Sequence, residues 1–119
     1  NRVWVEHNKF KGLMKGMKIH VEFETFNVRG IQGNCNAYFS FSNGNKLLDY
    51  NGNYRAIDGQ VCCPGYFTSG YDNTIYTDFE LFMPYSELHI SGSADCYFIV
   101  EVQVAGQSAA SEKISFSFY

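Results

Sequence analysis

Five tyrosines offer the most chemistry by type and position. Tyr50, Tyr54, Tyr66, Tyr71 and Tyr76 lie within or beside one irregular stretch of the chain, with Phe67 among them. A flat ring with a hydroxyl at its rim stacks on a sugar face or anchors a protein partner. In an aromatic-rich fold the same residue caps the edge of the core and bonds through its hydroxyl. Both roles are open at each of the five positions.

The metal-ligating residues are less persuasive. Asp49, Asp58, Asp72 and Asp78 could serve Ca²⁺, which takes six to eight oxygens from carboxylates held close together. No compact D-x-D pairing occurs, and Asp58-Gly59 and Asp72-Asn73 read as turn chemistry. His7, His20 and His89 offer zinc ligands, but C-x-x-C and H-x-x-x-H spacings are absent. His7 and His20 fall on the outward phases of their strands, which makes them surface histidines. No metal and no cofactor is expected. Cys62 or Cys63, before Pro64, is the one candidate for a reactive thiol. No oxyanion-hole signature or orienting acid accompanies it, so the expectation is a protein without a catalytic site.

Four cysteines, Cys35, Cys62, Cys63 and Cys96, allow three pairings into two disulfides. Adjacent Cys62 and Cys63 are poor partners for one another on geometric grounds. Cys35 and Cys96 sit on apolar strand phases and read as small buried hydrophobes. Free thiols favour a reducing, cytoplasmic setting.

What must hold these groups is a small fold built on rings. The 119 residues include 11 Phe, 9 Tyr and 1 Trp, a composition that favours strands over long helices. That length suits one domain, 1–119, with a core of its own. The net charge of −3 gives no general attraction to nucleic acid. Arg2, Lys9, Lys11, Lys15 and Lys18 crowd the start, whereas Arg55 is the only lysine or arginine between Lys46 and Lys113. No apolar run approaches the roughly 20 residues of a membrane helix. The chain opens on Asn1 and enters a strand almost at once, which reads as one domain of a longer protein.

The stretch Tyr71–Leu88 is central. Phe79, Leu81 and Met83 alternate with Asp78 and Glu80, the period of a strand with one buried face, and Pro84 ends it. Pro84–Leu88 then reads as a single helical turn or a tight crossover. Met17, Ile19, Val21 and Phe23 alternate in the same way, with a phase slip after Thr25 that puts Phe26 and Val28 on the apolar side. Val3–His7, Cys35–Phe41, Cys96–Val104 and Lys113–Tyr119 complete the regular strands, and Val61–Cys63 reads as a short edge strand. Asn8–Gly16 reads as a loop or loose hairpin arm, Asn43-Gly44 as a tight turn, and Lys46–Tyr71 as the least regular region. The expected fold is all-β, an antiparallel two-sheet sandwich of seven or eight strands, C2-like or Ig-like.

Several short stretches together carry a resemblance: Val3–Asn8, Lys15–Val21, Asp58–Val61, Tyr76–Phe79 and Phe82–Leu88. They resemble C-terminal, C2-like β-sandwich modules attached to diverse N-terminal domains in gut-type anaerobic bacteria. The resemblance implies an accessory role and no activity of its own. The expected function is a non-catalytic interaction module that binds a protein partner or packs on an N-terminal domain of its own chain. The alternatives are a carbohydrate-binding module using the loop tyrosines and Ca²⁺-dependent, C2-like membrane docking.

Overall fold

The computed structural model describes residues 2–119. It is an all-β sandwich of two antiparallel sheets. The first sheet has three strands in the order β1 (Arg2–Lys11), β2 (Met14–Phe26) and β6 (Asn73–Pro84). The second is built on a central pair, β3 (Gln32–Phe41) and β7 (Ala94–Val104). The outer edge of β3 takes β4 (Cys62–Cys63) and β5 (Tyr66–Thr68), and the outer edge of β7 takes β8 (Gln107–Ala110) and β9 (Ile114–Phe118). A 3-10 turn, Tyr85–Leu88, follows Pro84. No helix among the described residues is long and apolar enough to cross a membrane.

Alternation places the core. Met17, Ile19, Val21 and Phe23 of β2 and Leu81 and Met83 of β6 are buried against Cys35, Ala37 and Phe39 of β3 and Cys96, Phe98 and Val100 of β7. Each such large side chain contributes about 1.5–3 kcal/mol on burial, so β2 is the most heavily anchored strand of its sheet. Phe39, Phe98 and Phe116 pack ring to ring at one end, and Phe23, Phe67, Tyr76 and Phe79 at the other.

Among the described residues nine strands form where seven or eight were expected. The additions are β5, in the stretch read as irregular, and β8, between the strands read at Cys96–Val104 and Lys113–Tyr119. Both are too short to show a period, and every residue of β8 is exposed, so no apolar alternation marks it. The Asn8–Gly16 arm is a true hairpin that turns at Gly12, whose φ is +62°. Its tip leaves Phe10, Leu13 and Met14 exposed among Lys9, Lys11 and Lys15.

The phase slip belongs to a different strand. Thr25 keeps its inward phase and is buried, whereas Phe26 is exposed. The irregularity lies opposite, where Thr77 and Asp78 of β6 together face Glu22 of β2. This bulge brings Tyr76 and Phe79 to the same face. Val28 does reach the core, because β2 ends at Phe26 and Asn27 turns the chain with φ +57°.

Residues 42–61 lie along the free side of β3. Phe39 exchanges backbone hydrogen bonds with this segment, donating to Val61 and accepting from Leu47, and Leu48 bridges to Gln60. The irregular region is thereby an attached flap with Leu47 buried beneath it.

Candidate functional site

The outer face of the six-stranded sheet carries a shallow groove of about 610 Å³. Asn34, Asn36 and Tyr38 reach it from the outward phase of β3, and Gln103 from β7. The flap supplies Arg55, Ile57, Asp58 and Gln60 as one wall, and Tyr66 stands at the β5 end. Asn36 donates an amide hydrogen to the Tyr38 hydroxyl at 3.2 Å, while its Oδ1 is buried without a partner. Burial raises the Tyr38 hydroxyl above the ordinary tyrosine pKa, which keeps it a neutral donor and acceptor.

The five tyrosines singled out from sequence are not brought together. Tyr66 lines the groove and is more than half exposed. Tyr50 is exposed and meets the His89 ring edge-on at 5.4 Å. Tyr71 is exposed beside the Asn73 end of β6, its carbonyl accepting from Thr74. Tyr76 stacks on Phe23 at 4.6 Å and shares a hydrogen bond with Ser69, which is itself bonded to the buried Thr25. Tyr54 packs on the core, and burial raises its pKa. Tyr38 was missed, although its outward phase on β3 was a usable signal.

The four aspartates considered for Ca²⁺ each have a different partner. Asp49 pairs with His89, Asp58 with Lys46, Asp72 with Arg29 and Asp78 with His20. The Lys46 ammonium, at 2.6 Å, holds the Asp58 carboxyl below its usual range.

His20 requires a correction. Its outward phase on β2 suggested a surface residue, but it is only 6% exposed. Trp4, its neighbour across the β1–β2 ladder, lies flat on the imidazole at 5.1 Å, and Arg2 covers the indole in turn. Nδ1 of His20 lies 2.6 Å from Asp78 Oδ1, and Nε2 lies 2.8 Å from Glu6 Oε1. Burial alone would lower the pKa of this ring, but the two carboxylates outweigh it and the pKa is raised. Glu6 is correspondingly lowered, mainly by its bond to His20.

A second cluster joins the flap to the crossover after β6. Asp49 Oδ1 lies 3.1 Å from His89 Nε2, and Glu87 Oε2 lies 3.8 Å from the same nitrogen. Asp49 Oδ2 accepts the Gly52 N–H at 2.6 Å, and both Glu87 oxygens accept from the Asn51 amide at 3.1 Å. His89 has left-handed backbone, φ +57°, because the chain reverses there directly after the 3-10 turn. His7 stands apart, bonded to the Tyr85 hydroxyl at 2.7 Å.

All four cysteines are buried free thiols. Burial pushes Cys35, Cys62 and Cys63 to about 12, so the thiolate needed for nucleophilic attack is scarcely populated at neutral pH. No protein-family model, curated protein or solved structure matches the chain.

Proposed function

We propose that this domain is a non-catalytic binding module that receives a protein partner, or an effector domain of its own chain, on the outer face of the six-stranded sheet. The observation that carries this reading is the groove and its rim. Ile57 is fully exposed and Tyr66 is more than half exposed, around a concave surface of amides, Tyr38 and one charge of each sign. An aromatic and aliphatic rim beside unspent hydrogen-bonding groups is the usual make-up of a contact surface. The buried, protonated thiols support a role without nucleophilic catalysis, as does the accessory character that the resemblance implies.

The test is retention of a partner by the immobilised chain. Ile57→Ser with Tyr66→Ser should leave melting unchanged, because both side chains face solvent, and should reduce partner recovery at least tenfold. Equal recovery by the folded double variant removes the groove from consideration.

One observation favours a second reading, carbohydrate binding. Asn36 Oδ1 lacks a donor, and Asn34 and Tyr38 beside it are groups that exchange hydrogen bonds with sugar hydroxyls, whereas the Gln60 and Gln103 amide nitrogens already donate within the protein. Oligosaccharide titration followed by NMR should then move the Asn36 and Tyr38 resonances. Unmoved resonances at millimolar sugar eliminate that reading.

A further inference from the structure

We propose that Asp49, Glu87 and His89 form a binding site for a divalent transition metal of the zinc class. The three side chains come from two segments, the flap after β3 and the crossover after β6, and each presents one ligand atom to a common point.

Spacing is the first argument. A tetrahedral ion with bonds near 2.1 Å holds its ligand atoms roughly 3.4 Å apart. His89 Nε2 lies 3.1 Å from Asp49 Oδ1 and 3.8 Å from Glu87 Oε2, values on either side of that edge. All three donors lie within 4.8 Å of one another. The third edge, Asp49 to Glu87, lies within the same 4.8 Å, and closing on an ion would draw the Glu87 carboxylate inward.

Charge and burial are the second. The Asp49 side chain is wholly buried, with Glu87 at 15% and His89 at 17% exposure. Two largely sequestered carboxylates therefore face one imidazole, and no lysine or arginine pairs with either among the described residues. Anions removed from water are costly unless a cation meets them, and one imidazole is the only basic side chain paired with the two carboxylates among the described residues. A divalent ion balances both.

The outer contacts are the third. Ligand carboxylates in metal sites are steadied by hydrogen bonds to their other oxygens. Gly52 N–H does this for Asp49, and the side-chain amides of Asn51 and Asn53 do it for Glu87 Oε1, the Asn51 amide reaching the ligand oxygen Oε2 as well. The fourth coordination position is left to water. One nitrogen and two carboxylate oxygens suit Zn²⁺, Co²⁺ or Ni²⁺ better than Ca²⁺ or Mg²⁺, which want oxygen alone and more of it.

The other histidine–carboxylate cluster does not share these properties. Both nitrogens of His20 are spent on carboxylates at 2.6 and 2.8 Å, and those carboxylates are nearly half exposed. It is a hydrogen-bonded ion cluster rather than a ligand triangle.

The experiment is calorimetric titration of the chelator-treated 119-residue chain with Zn²⁺, repeated with Co²⁺ under visible absorption. One equivalent should bind with a Kd in the micromolar range or below, raise the melting temperature, and give Co²⁺ the intense visible bands of four-coordination. His89→Asn keeps a residue tolerant of left-handed backbone, and Glu87→Gln keeps an acceptor for Asn51. Each folded variant should weaken Zn²⁺ by about 100-fold, whereas His20→Gln should leave it unchanged. Absence of one-to-one binding by the folded wild-type chain overturns the proposal. So does full affinity in both site variants, or loss of affinity in His20→Gln alone.

Discussion

His20 binds a carboxylate of each neighbouring strand, Glu6 of β1 and Asp78 of β6. Glu80 stands 3.8 Å from its Nδ1, Lys9 and Lys18 pair with the outer acids, and Trp4 covers its face. A histidine whose folded pKa is raised stabilises the native state fully below its unfolded value, near 6.5, and the contribution is lost as pH rises through the folded value. The lowered Glu6 works in the opposite sense: its contribution is present above its ordinary value near 4.5 and fades as pH falls. The cluster is therefore strongest between those two limits. His20→Gln should cost about 1 kcal/mol there, the usual worth of a charge-assisted bond reduced by the exposure of its acids, and less at pH 8. Urea melts of both chains across pH measure this; a difference that grows with alkalinity contradicts it. Sequence alternation put His20 on the right face of β2. It could not reveal the burial, because that depends on which residue of β1 lies opposite, and register there is altered by the bulge at His7 and Asn8.

Among the elements, β2 shows how the hydrophobic pattern specifies a strand and where it stops informing. Its four inward residues from Met17 to Phe23 were legible, as were the 3-10 turn after Pro84 and the edge strand at Cys62–Cys63. The bulge was not: a buried Thr25 beside an exposed Phe26 imitates a slip in β2, while the extra residue sits in β6. Gly16 shows a second constraint that composition hides. A Cβ there would come 2.8 Å from the Met83 carbonyl carbon and closer still to its oxygen, so β2 and β6 approach too tightly for any side chain. Gly16→Ala should lower stability by about 1–3 kcal/mol, read from denaturant midpoints, with loss of hydrogen-exchange protection along the β2–β6 ladder. The hairpin tip predicts the reverse. Phe10→Ser with Leu13→Ser removes large apolar groups that already face water, and the midpoint should stay within about 0.5 kcal/mol.

Over the whole molecule the sandwich was the easier inference, since rings and branched residues at period two have few other ways to be buried. The groove was harder. Its walls come from β3, β7 and the flap, and the flap shows no period because only isolated bridges hold it against its neighbours. The loop tyrosines consequently scattered to the core edge, the rim and the turns, while Tyr38 emerged from a regular strand. The same logic hid the Asp49, Glu87 and His89 triangle, whose members are 38 and 2 residues apart and meet only through the crossover. If that site closes on a metal, the flap becomes tied to the opposite sheet, and its amides between Asp49 and Gly59 should exchange more slowly in Zn²⁺ than in chelator.

The stack of Trp4 on His20 has an optical consequence. The chain has one tryptophan, so emission excited at wavelengths its nine tyrosines do not absorb comes from a single indole lying on a titrating ring. An imidazolium quenches indole emission more strongly than neutral imidazole does. Emission should brighten as alkali strips the proton from His20, with a midpoint above 6.5. Because the acids that hold that proton belong to β1 and β6, the brightness of one residue reports whether all three strands of its sheet are in register.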